Sequence, residues 1–119
     1  MNAGDRGEAI ATKFLRDKGH RILENNFRFA RGEIDIISTY KDFLVFTEVK
    51  SRQSLRYGRP LEAVDARKRR QIYTTAEYYI SRYGMWDRNI RFDIIEVYLM
   101  QPPKLYYLEG AFDGNDLED

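Results

Sequence analysis

Residues 32–50, GEIDIISTYKDFLVFTEVK, decide the fold. Two runs rich in Ile, Val and Phe flank Tyr40-Lys41-Asp42, the pattern of two strands joined by a tight turn. If Lys41-Asp42 is a two-residue loop, the numbers of paired residues sum to 83. Asp35 then faces Glu48, and Glu33 faces Lys50. A loop of another length changes this pairing. Strand side chains alternate, so Glu33 shares a face with Asp35, and Glu48 with Lys50. Directly opposed side chains lie with Cβ atoms ~4.5–5.5 Å apart. Three carboxylates and a lysine are thereby drawn into one cluster.

Opposed like charges destabilise a strand pair, and burial makes them costlier unless a positive charge lies between. Ile34, Ile36, Val45, Thr47 and Val49 are available to cover the other face, so the strands read as interior. A hard divalent cation with oxygen ligands resolves the conflict: Asp35 and Glu48 each offer an oxygen, and the Thr47 or Val49 carbonyl is a further candidate. Lys50, two residues from Glu48, is placed to orient or deprotonate a water or to stabilise a charged transition state. The plainer reading is a pair of surface salt bridges, one of them Glu33–Lys50, on an exposed sheet face.

Working outward, residues 6–18 read as a helix. Asp5 is the expected N-cap, Glu8 sits at capping-box spacing, Ile10, Phe14 and Leu15 form an apolar stripe, and Gly19 is the stop. Strands are expected at 21–28, 33–39 and 43–50, a loop at 51–60, a helix at 61–83 ended by Gly84, and strands at 91–99 and 104–108. The order α-β-β-β-α-β-β describes one α/β domain over residues 1–108, with a mixed sheet flanked by helices. Residues 109–119 are expected to form a frayed acidic tail.

Composition excludes much chemistry. The chain has 119 residues, enough for one core, with no cysteine and a single histidine, His20. Disulfides, cysteine nucleophiles, iron–sulfur clusters and Cys/His zinc sites are excluded within one chain. Carboxylate, lysine, tyrosine and hard-metal chemistry remain. No signal-peptide apolar segment and no membrane span are read, so cytoplasmic residence is expected. The net charge of +1 hides a basic body: without the five acids of 109–119, residues 1–108 carry +6. Residues 50–72 alone hold Lys50, Arg52, Arg56, Arg59, Arg67, Lys68, Arg69 and Arg70 against Glu62 and Asp65. Such a surface suits a polyanion, although a solvated helix face has the same composition.

The order D-x12-E-V-K (Asp35, Glu48, Val49, Lys50) resembles the PD-(D/E)xK nuclease motif. Gly4-x-x-Gly7-Glu8, Asn26, Gly32-Glu33-Ile34-Asp35 and Arg91-Phe92-Asp93 more closely resemble the YraN-like family of small bacterial proteins, grouped with endonucleases and similar to archaeal Holliday-junction resolvases. The resemblance spans residues 4–99. It implies a restriction-endonuclease-like fold and hydrolysis of phosphodiester bonds with magnesium, or manganese in its place. Asp35 and Glu48 match the metal ligands, Lys50 the catalytic lysine and Glu8 an acidic residue on the first helix. Gly32-Glu33-Ile34 stands where the wider motif has proline, leaving Glu33 as an extra carboxylate at the catalytic centre.

Several side chains carry paired readings. Glu8 either caps its helix or positions a metal-bound water. Lys68 interrupts the stripe of Val64 and Ile72, so its head either turns outward or reaches the carboxylates or a phosphate. Arg52, Arg56 and Arg59 form a basic clamp after the catalytic strand, and Arg67, Lys68 and Arg70 offer contacts to a nucleic-acid backbone. Asp93 reads as structural, paired with an arginine, and the tyrosines read as core or interface. No sequence-reading DNA-binding motif is present, so structure-selective action on branched or damaged DNA is expected, with a homodimer for a symmetric junction. The alternative is a non-catalytic nucleic-acid-binding module that uses the basic surface.

Overall fold

The computed structural model describes residues 2–53 and 64–113. The hairpin forms in the expected register: β2 (Gly32–Tyr40) and β3 (Phe43–Arg52) pair antiparallel from Tyr40↔Phe43 to Ile36↔Thr47. Lys41 takes a left-handed conformation, φ 55°, to close the turn. The remaining elements are α1 (Ala3–Asp17), β1 (Arg21–Phe29), α2 (Ala66–Tyr83), β4 (Asn89–Tyr98) and β5 (Lys104–Phe112). The fold is α/β and restriction-endonuclease-like, in the expected order, with a five-stranded sheet ordered β1-β2-β3-β4-β5. The β3–β4 pair is parallel and the other three are antiparallel. A parallel pair needs a crossover, and α2 supplies it.

The sheet has a core on each side. Ile34, Ile37, Leu44, Phe46 and Ile94 pack with Ile72, Ala76 and Tyr79 of α2, whereas Ile36, Ile95 and Val97 pack with Ala11 and Leu15 of α1. Each fully buried Ile, Leu or Phe contributes about 1.5–3 kcal/mol. One irregularity positions the site. Ile34 and Ile36 are two apart and should share a face, yet they belong to opposite cores. The backbone therefore turns over at Asp35. Across the ladder, Asn26 of β1 has φ 54°, a left-handed residue in mid-strand.

Four boundaries differ from expectation. Asn2 is the N-cap of α1, its side chain accepting a 2.8 Å hydrogen bond from the Asp5 N–H, so Asp5 and Glu8 do not form the capping box. Asp65 caps α2 by accepting from the Lys68 N–H, which starts that helix at Ala66. Residues 61–63 lie outside the described residues. Arg52 ends β3 and is not in a loop. β5 runs to Phe112, and the Gly110 N–H donates to Asp93, so 109–112 of the expected tail lie in the sheet. Gly84 ends α2 as expected, with φ 65°.

Candidate active site

The β2–β3 ladder stops one pair short of the carboxylates because side chains take over its bonds. Asp35 Oδ2 accepts from the Val49 N–H at 2.7 Å, and Glu48 Oε2 accepts from the Asp35 N–H at 3.3 Å. The two acids thus clasp each other's strand, Asp35 opposite Glu48 as the register requires. Glu48 is almost fully buried, and burial, then the Asp35 charge, pushes its carboxyl up to about 8. Burial, then Glu33, also raises Asp35 against the pull of the Val49 hydrogen bond and two lysines.

Those lysines come from different elements. Lys50 follows Glu48 on the same face of β3. Burial and the adjacent Lys68 lower its ammonium to about 8. Lys68 lies on the first turn of α2, with Nζ 3.7 Å from Glu48 Oε1. Burial pulls its pKa down, but Lys50, Glu48 and Asp35 outweigh that pull and leave it raised. Lys68 therefore reaches the carboxylates while its side chain stays partly exposed. A cleft of about 160 Å³ opens here, lined by Arg31, Glu33, Asp35, Glu48, Lys68 and Gln71 above Ile72.

The other expected residues distribute unevenly. Glu33 lines the cleft but pairs with Arg28 at 3.5 Å, its neighbour across β1, and not with Lys50, which lies beside Glu96 in the β3–β4 ladder. Glu8 stands on the α1 side of Asp35. Its Oε1 accepts from Asn26 at 2.8 Å and Asn25 at 3.4 Å, while burial and the Asp35 charge raise its pKa. Gly7 brings it there: a Cβ at Gly7 would lie 1.8 Å from Ser51 Oγ, so only glycine lets α1 lie so close to β3. Arg52 departs from its expected role as a clamp. It forms an ion pair at 3.4 Å with Glu96, a fully buried carboxylate that also accepts from the Tyr98 hydroxyl. Arg67 and Arg70 are exposed on α2, and Arg56 and Arg59 lie outside the described residues. Asp93 is structural as expected, with Arg91 donating two 2.9 Å bonds to it. Tyr79 is core, and Tyr78 stacks on Phe29.

Sequence reasoning missed Glu96, the Asn25-Asn26 anchor for Glu8, and Arg31 and Gln71 in the cleft wall. Two adjacent asparagines inside a strand, where they are disfavoured, were the available signal for the anchor. Glu96 gave none, since the Arg52 partner lies forty-four residues away in sequence.

Among the described residues no three acidic or histidine side chains form a ready cation cage. Two carboxylates remain, each with one oxygen committed to a backbone N–H and one turned elsewhere. This donor set fits magnesium, which takes one or two carboxylates and keeps several waters.

The sequence profile of uncharacterised protein family UPF0102 matches residues 7–97. The chain belongs to that family. The UPF0102 span contains Glu8, Glu33, Asp35, Glu48, Lys50 and Lys68, and it bears out the YraN-like resemblance. A UPF0102 protein of Clostridium acetobutylicum is 48% identical over 113 residues, covering 92% of this chain and 93% of its own. One from Clostridioides difficile is 44% identical over 109 residues, covering 92% and 95%. One from Acetivibrio thermocellus is 50% identical over 98 residues, covering 82% and 75%.

Proposed function

We propose that this UPF0102 protein is a metal-dependent endonuclease that hydrolyses phosphodiester bonds in DNA, selecting branched or damaged substrates. The observation that carries the reading is the pair of carboxylates, buried Glu48 and half-buried Asp35, clasped across a broken ladder with Lys50 and Lys68 beside them. Setting two acids against each other in a desolvated site costs a small fold stability, even with those hydrogen bonds. Their use lies in what they bind.

Asp35 and Glu48 would hold magnesium or manganese, which supplies a nucleophilic water and neutralises charge on the phosphoryl oxygens. Lys50, lowered to about 8, exchanges its proton near neutral pH and so serves either the attacking or the leaving oxygen. Lys68 keeps its charge and offers it to the phosphate. Glu8, anchored by the two asparagines, orients water on the α1 side. Glu33 borders the cleft mouth with Arg31. Arg67 and Arg70 are exposed for backbone contact, and Arg56 and Arg59 complete the basic segment in sequence. No described helix is long and apolar enough to cross a membrane. A symmetric junction would require two copies.

The test uses labelled four-way junction, flap, single-stranded and plain duplex DNA, with magnesium or manganese and with chelator. Cleavage should require the metal and fall about 10³-fold in Lys50→Ala. Asp35→Asn and Glu48→Gln should abolish it with the fold intact. Salt-sensitive binding that survives chelation, without cutting, would put a binding module in place of the enzyme.

A further inference from the structure

A second cleft adjoins the acidic one and shares two of its wall residues, Arg31 and Gln71. It measures about 320 Å³, twice the acidic cleft, and lies between the β1–β2 turn and the outer side of α2. Its chemistry differs. Phe29 forms an apolar wall, Gly32 and Thr74 also line it, and among the described lining residues Arg31 and Arg70 carry the charges.

The walls are fixed. Phe29 stacks on Tyr78 with ring centres 3.8 Å apart and planes within 10°. A Cβ at Gly32 would fall 2.0 Å from Thr75 Oγ1 and 2.7 Å from the Gln71 carbonyl, so helix and turn meet without slack. The Thr74 hydroxyl donates to the Arg70 carbonyl and the Thr75 hydroxyl to the Gln71 carbonyl, spending both donors on α2 itself. Ala30 accepts φ 53°, a conformation that alanine rarely adopts, to place Arg31 at the junction of the clefts. Neither Arg31 nor Arg70 has an ion-pair partner among the described residues.

An aromatic wall with free guanidinium groups at its rim recognises a planar, apolar-faced group that carries a phosphate. We propose that this groove holds one unpaired nucleotide next to the phosphate engaged at Asp35 and Glu48, its base against Phe29 and its phosphate at Arg31 and Arg70. The proposal rests on the nuclease reading and supplies its substrate class. A paired base has both faces covered by its neighbours and cannot enter such a groove, whereas a bulged, flapped or flipped base can. Selection of branched or damaged DNA then comes from a wall beside the site and needs no reading of sequence.

The experiment reads binding of the full chain in chelator, by fluorescence anisotropy. It compares a short duplex with one unpaired thymine, the same duplex fully paired, and the bulged duplex with an abasic site at the bulge. The bulged duplex should bind about ten-fold tighter than the paired one, in line with one stacked base. The abasic bulge should fall back to the paired level. Arg31→Ala and Arg70→Ala, both at exposed positions, should each weaken the bulged duplex several-fold more than the paired one. Equal affinity for all three duplexes overturns the proposal, as does an equal loss on every duplex in both variants, which would make the arginines a general phosphate contact. The two readings fail separately. Metal-dependent cleavage by a protein indifferent to the unpaired base counts against the groove alone, and a base preference without hydrolysis counts against the nuclease alone.

Discussion

Glu48→Gln should remove a pH dependence of stability that the wild-type chain shows in chelator. Glu48 is pushed up from an ordinary 4.5 to about 8 by burial and by Asp35. Between those values the native state holds a proton that the unfolded chain has released. Stability from this group is therefore full below about 4.5 and is lost as pH rises through about 8. A proton held by one state alone changes stability by about 1.4 kcal/mol per pH unit. From about pH 5 to 8 the loss approaches ~4 kcal/mol, and sharing of the proton with Asp35 brings it to roughly 2–4 kcal/mol. Lys50, lowered to about 8, is charged in both states over most of this window and adds little slope there. His20, lowered by burial and then by Arg91, gains stability as pH rises toward neutrality, but it does so in both proteins and cancels in their difference. The assay is urea unfolding of wild type and Glu48→Gln at several pH values. Wild type should lose stability relative to the variant as pH rises. Magnesium should shrink the wild-type loss, because it binds only the ionised pair. Parallel curves for the two proteins from pH 5 to 8 would refute the reasoning, since Glu48 would then ionise normally.

Gly32→Ala should destabilise by several kcal/mol in chemical denaturation, because its Cβ meets the Gln71 backbone oxygen at 2.7 Å as well as Thr75. Asp93→Ala should cost about 3–5 kcal/mol by the same measure, leaving Arg91, only 14% exposed, without its carboxylate. Asn26→Ala should cost about 1–2 kcal/mol through its left-handed backbone. Asn26→Gly should recover that cost but still remove the shorter of the two hydrogen bonds that anchor Glu8, so cleavage in it should fall while its urea midpoint holds.

What was legible in the sequence followed from local rules. The turn at Lys41-Asp42 fixed the hairpin register, and register alone carried Asp35 to Glu48. What was not legible depended on departures from those rules. The period-two pattern assumes a continuous ladder, but the Asp35 carboxylate takes the Val49 N–H and the strand turns over, sending Ile34 and Ile36 to opposite cores. Past that point the expected Glu33–Lys50 contact no longer follows, because each residue answers to its outer neighbour, β1 for one and β4 for the other. Lys68 was readable as an anomaly in an apolar stripe, but its direction depended on where α2 begins. An N-cap at Asp65 places Lys68 in the first turn, beside the ends of β2 and β3. Arg52 shows the converse. Its charge suggested a partner outside the protein, and a carboxylate distant in sequence claims it. A basic run in sequence thus overstates the surface offered to a polyanion: of the arginines near the cleft, Arg52 is claimed by Glu96, whereas Arg31, Arg67 and Arg70 stay exposed.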